Sequence, residues 1–162
     1  MNKESTSKRT EELPNYVLLS HVRQLINEGH EVTMNIKGNS MRPLLENGRD
    51  KVTISPVPAG SLHIGDIVLA EISPDIYVLH RIIKINNEQL TLMGDGNLKG
   101  TEKCSTADVV GVVYSVIRNG RIWKSDDNKW KLLRIFWPKL KPIRRYLLAI
   151  FRVRFFDISC NL

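Results

Sequence analysis

Cysteine is scarce, with two in 162 residues. Cys104 and Cys160 stand 56 positions apart, which excludes a zinc-type pair and a disulfide-dense scaffold. They read as free thiols of a reducing compartment, with a single disulfide left open. Long apolar runs are also missing. The longest uninterrupted one, Tyr146 to Phe151, falls far short of the roughly 20 residues that span a bilayer. Met1 to Glu12 is polar and charged, without the apolar stretch of a secretory signal. The expectation is a cytoplasmic chain, peripheral at most on the inner face of a membrane, that needs no metal or cofactor.

Acidic residues are thin in one region only. From Arg118 to Arg154 there are two acids against twelve Lys or Arg, a net of +10 in a chain whose total is +7, so the remainder carries −3. The basic excess therefore belongs to one arm. Aromatics are divided the same way: all three Trp (Trp123, Trp130, Trp137) and all four Phe (Phe136, Phe151, Phe155, Phe156) lie beyond Gly120.

Leu18, Val22, Leu25 and Ile26 repeat at helical spacing within Leu13 to Glu28, and Gly29 supplies a stop. His21 and His30 belong to no motif and read as surface residues. Strand-type runs follow at Glu31–Lys37, Lys51–Val57, Asp66–Ile72, Ile76–Ile85, Gln89–Met93 and Val109–Ile117, separated by turn signals such as Ser73-Pro74-Asp75 and Asn86-Asn87. Residues Gly94 to Ala107 read as one long loop. Strands in succession without intervening helices predict a compact, mainly antiparallel β fold. In the arm, Ser125-Asp126-Asp127 offers a cap for a helix to about Phe136. A second helix with Ile143, Leu147, Ile150 and Phe151 on one side follows the breaks at Pro138 and Pro142. Three regions result: residues 1–30, a polar start and covering helix; 31–120, the β domain; and 121–162, a basic aromatic arm.

The candidate chemistry centres on Gly38-Asn39-Ser40-Met41-Arg42-Pro43. Gly38 and Asn39 let the chain turn sharply after a strand and present the Ser40 hydroxyl, while Pro43 ends the extended run. Either an ordinary turn serine or a nucleophile fits this segment alone. Serine needs a base to take its proton, and His80 stands within the apolar run Tyr77-Val78-Leu79, where a polar ring calls for a reason. Ser-Met-x-Pro, then Gly65-Asp66-Ile67-Val68, then His80-Arg81-Ile82, then Gly94-Asp95-Gly96-Asn97, in that order, resembles the type I signal peptidase family within the wider LexA-like serine peptidases. The likeness covers roughly residues 31 to 117, and His80 matches the branch that uses histidine where the main bacterial branch has lysine.

That resemblance implies a signal-peptidase/LexA-like β fold and a serine endopeptidase that removes a leader or signal segment, with Ser40 as nucleophile and His80 as base. It implies Asp95 as the first choice to orient His80. Glu102 stands near the place of a second expected aspartate and is the alternative acid. It further implies an oxyanion site at the Ser40 and Asn39 backbone, substrate contacts at Met41 and Pro43, and a peptide bound as an added strand. Gly38 lacks the hydroxyl that signal peptidases often place two residues before the serine. Asp66 reads as a turn residue. Two other readings stay open. One is a LexA-like self-cleaving regulator, although about 30 residues before the core are too few for a DNA-binding domain. The other is a non-catalytic module whose arm grips a membrane or nucleic acid. The arm's mixture of Trp, Phe, Lys and Arg suits an anionic membrane surface better than nucleic acid, and packing of its aromatics on the β core is the plainer alternative.

Overall fold

A computed structural model describes residues 15–58, 60–125, 127–140 and 146. Its first element is helix α1, Asn15–Asn27. Val22 and Ile26 are its buried residues, with Leu19 packed beside them, while Leu18 and Leu25 stay largely exposed. The buried stripe therefore runs 19, 22, 26 rather than through Leu18. Gly29 ends the helix as expected: its φ is +89°, its N–H bonds to Ile26 O, and His30 N–H bonds to Leu25 O. An ion pair from Arg23 to Glu71 fastens the helix to the sheet. His21 and His30 are exposed.

The strands are β1 (Val32–Asn35), β2 (Asp50–Ser55), β3 (Ile67–Ser73), β4 (Ile76–Asn86), β5 (Gln89–Met93), β6 (Glu102–Ser105), β7 (Val109–Arg118) and β8 (Arg121–Lys124). All pairings are antiparallel, in the order β1-β2-β7-β3-β4-β5-β6, with β8 also on β7. The expected mainly-β antiparallel fold is thus present. β7 bridges its two halves: β2 lies on one edge, and β3 pairs with its first residues on the other.

Strand alternation creates two cores. Ile67 and Leu69 of β3 join α1, β2 and β7 in one cluster, while Val68 and Ala70 of the same strand join Ile82, Leu90, Leu92 and Cys104 in the other. A strand buried on both faces must be apolar throughout, as Ile67-Val68-Leu69-Ala70 is. Burying each of its Ile, Val and Leu side chains is worth about 1.5–3 kcal/mol. The β3–β4 and β4–β5 hairpins fall at the turn signals, with Asp75 (φ 61°) and Asn87 (φ 52°) in the left-handed region.

Two strands differ from the sequence expectation. β6 lies inside the stretch expected to be loop, and β8 places residues 121–124 in the sheet. The division at 120/121 therefore cuts a β7–β8 hairpin, and the arm leaves the sheet only after Lys124. Helix α2, Asn128–Phe136, starts after Asp127, whose carboxylate accepts the Lys124 N–H. Trp130 packs against the first core and Trp137 is buried. The second arm helix and Cys160 lie outside the described residues, apart from Tyr146. Among the described residues no helix is long and apolar enough to cross a membrane.

Candidate active site

Ser40 sits on a loop held at both ends by core residues. Ile36, Met41 and Leu45 are all buried in the first core, so the chain dips inward, rises through Gly38 (φ +84°) to half-buried Ser40, and dips again. Asn39 O accepts the Arg42 N–H at 3.2 Å. Because the peptide is planar and trans, that bond fixes the plane shared by Asn39 C=O and Ser40 N–H, and hence where the N–H points. Met41, expected at the substrate, is only 3% exposed. It backs the cavity beside Ser40 as a core side chain, because the turn directs it inward. Pro43 follows a cis peptide bond and does not line that cavity.

The rest of this loop is held by charge. Asp50, with a fully buried carboxylate, accepts from Arg49, from the Glu46 N–H at 2.9 Å and from Arg118 Nε at 2.7 Å. Arg118 also donates to Leu44 O at 2.7 Å, and Glu46 pairs with Arg42 and Arg49. Burial pushes the Asp50 carboxyl up, but the Arg49, Arg118 and Glu46 hydrogen bonds outweigh it and hold the group below the usual carboxylate range. The hydrogen bond to Asp50 raises Arg49 correspondingly. None of these residues was singled out from sequence. The available signal was the spacing Arg42, Glu46, Arg49, Asp50 on a loop bounded by core residues.

His80 is 5% exposed on β4, and its Nδ1 lies 2.9 Å from Glu102 Oε2. Asp95 is on a different partner. Its two oxygens take a forked pair of hydrogen bonds from Arg81, at 2.8 and 2.7 Å, and Arg81 donates a third to Gly65 O at 2.6 Å. Asp95 is thereby replaced by Glu102 as the acid on His80. The physical reason is the pleat: consecutive residues of β4 face opposite sides, so His80 and Arg81 each meet a separate carboxylate. Asp66 serves a turn, as expected, with its carboxylate on the His63 N–H.

The Gly94–Asn97 turn brings the two halves together. Gly96 N–H donates to Ser40 O at 2.7 Å. A Cβ on Gly94 would lie 2.5 Å from Ser40 O, 2.9 Å from Asn97 Nδ2 and 3.1 Å from His80 Nε2. Only a glycine fits between the serine backbone and the imidazole. Ser40 and His80 also line one cavity of about 150 Å³, with Ile36, Met41, Tyr77 and Leu79. No hydrogen bond joins Ser40 to His80 among the described residues; the His80 ring's bond there is to Glu102.

No protein-family model matches the chain, nor does any curated protein or solved structure. The geometry therefore stands by itself. It continues into a larger groove of about 620 Å³ that shares Ile36, Lys37, Tyr77 and Leu79 with the serine cavity and extends to Leu18, Leu19, Met34 and Ile76. Two strand edges border it. β1 pairs only with β2, and the Ile76–His80 half of β4 pairs only with β3 among the described residues. Cys104 is no rival nucleophile: burial, then the Asp108 charge, pushes its thiol up to about 11. Among the described residues no group of His, Cys, Asp or Glu is placed to hold a metal.

Proposed function

We propose that this protein is a serine endopeptidase of the signal-peptidase kind, in which Ser40 attacks, His80 carries the proton and Glu102 orients the ring. The observation that carries the reading is the shared cavity of Ser40 and His80 with Glu102 on the far ring nitrogen. In the first step Ser40 Oγ bonds to the scissile carbonyl carbon while its proton passes to His80 Nε2. Glu102 accepts from Nδ1–H, which fixes the tautomer with Nε2 free to act as base and stabilises the imidazolium that forms. The Ser40 N–H, with Asn39 N–H beside it, is the donor for the oxyanion. His80 then protonates the leaving amine, and water, activated by the same ring, releases the acyl group and restores Ser40.

The substrate on this reading is an extended segment laid between the edges of β1 and β4, bonded through its main chain. A cavity of about 150 Å³ beside Ser40 suits a small side chain at the cut. Removal of a leader or signal segment is the activity these features fit. The test is cleavage of extended leader-type peptides by the wild-type chain and by Ser40→Ala. Turnover with wild type and none with the alanine variant is expected, with unchanged melting. Equal turnover by both would remove Ser40 from the mechanism. Processing of the chain itself at a rate independent of its concentration would mark a self-cleaving protein instead.

A further inference from the structure

The proposed peptidase leaves the basic arm without a role. Within its described part, α2 is apolar on two sides. Trp130 faces the first core, whereas Leu132 lies about 200° around the helix from it, at 100° per residue. Phe136, one turn on from Leu132, shares that outer side. Both are 54% exposed, and Lys131 between Trp130 and Leu132 is exposed as well. The protein body satisfies one face of this helix and leaves the other without a partner among the described residues. Tyr146 (63%) adds an exposed aromatic further along the arm.

We propose that the outer face of α2 is a docking surface for an anionic lipid bilayer, with Leu132 and Phe136 as its apolar anchors. Charge complementarity identifies the occupant. The sequence from Arg118 to Arg154 carries a net of +10, with Lys129, Lys131, Arg134 and Lys139 in or just after α2. Such a segment is drawn to the negative surface of a membrane, and side chains like Leu and Phe then settle at the headgroup boundary. Two half-exposed apolar side chains are too little to hold a protein on uncharged lipid, so binding requires both contributions. Nucleic acid would satisfy the charge but leave the Leu132–Phe136 pair against phosphate. Two of the three tryptophans that composition alone marks as anchors are not available: Trp130 and Trp137 pack within the protein itself.

Flotation of the full chain with vesicles tests this without reference to peptidase activity. The vesicles are phosphatidylcholine alone, or phosphatidylcholine with about a third phosphatidylglycerol, a share that gives the strongly negative surface of anionic membranes. Binding to the anionic vesicles alone is expected, falling as salt is raised and the Debye length shrinks. Leu132→Glu with Phe136→Glu, both exposed, should lower partitioning about tenfold or more while melting stays unchanged. Lys131→Glu should weaken binding through charge alone. Undiminished binding by the double variant, equal binding to both vesicle types, or binding only to an RNA or DNA duplex would each overturn the proposal.

Discussion

Replacing Glu102 by Gln removes one charge and keeps nearly the same shape, so it isolates what the carboxylate does for His80. Nδ1 and Oε2 are 2.9 Å apart, and the Glu102 side chain is 26% exposed. Unit charges about 4 Å apart interact by about 4 kcal/mol at an effective dielectric of about 20 and about 1 kcal/mol in water. A carboxylate a quarter open to solvent falls between, at about 2–3 kcal/mol of imidazolium stabilisation, which is about 30- to 150-fold in kcat. KM should hardly move, because on this mechanism the carboxylate acts on charge that develops in the transition state. Asp95→Asn should act on stability instead. It strips the charge from a pair in which Arg81 is 2% and Asp95 1% exposed. Breaking a buried pair costs about 3–5 kcal/mol, so melting falls by about 6–20 °C for a domain of this size. Steady-state peptide cleavage beside thermal unfolding of both variants is the assay. A Glu102→Gln rate within about threefold of wild type, or a slow Asp95→Asn enzyme with unchanged melting, would refute the assignment of the two acids.

Gly94→Ala should abolish turnover and cost about 1–3 kcal/mol, since its methyl would meet Ser40 O at 2.5 Å and backbone must move; an active, equally stable variant would contradict the packing of this turn. Asp50→Asn should destabilise by about 2–4 kcal/mol near neutral pH, read by urea unfolding. Because the folded Asp50 titrates below its ordinary 3.8, its contribution is complete above that pH and is lost as pH falls through the lower folded value. Wild type and Asp50→Asn stabilities should therefore converge in strong acid, and parallel curves would rule the carboxylate out.

Six of the eight strands were legible in the sequence because each combines β-branched or apolar residues with turn chemistry at its ends. β6 was hidden because Glu-Lys-Cys-Ser is polar and short, and it forms by pairing with β5 rather than by its own preference. β8 was hidden in the same way, its four residues masked by the basic composition that follows. Ser40 and His80 were legible as residue types in an ordered series, and the structure places them on one cavity. The acid was not, because Asp95 and Glu102 both follow the histidine within a loop-like stretch and spacing cannot rank them. One clue lay next door: Arg81, in an apolar strand beside His80, needs its own buried counter-charge. Counting guanidinium and imidazole as separate claimants would have assigned two carboxylates instead of one. The Asp50 network was invisible because Arg118 reaches it across 68 positions.

The central place of β7 has a consequence for when the Ser40–His80 site is assembled as the chain is made. The Ser40 half of the sheet, β1 and β2, joins the His80 half, β3 to β6, through β7. Its final residue, Arg118, also closes the hold on the serine loop. Translation delivers Ser40 early and this keystone late, roughly 4–16 s apart at about 5–20 residues per second. During that interval the serine and the imidazole are in separate, unjoined pieces. Distant pairing of this sort is slow, since the loop entropy is lost before the contacts form. On the proposed mechanism, a growing chain would be inert toward its neighbours on the ribosome until the last strand of the bridge joins the two halves.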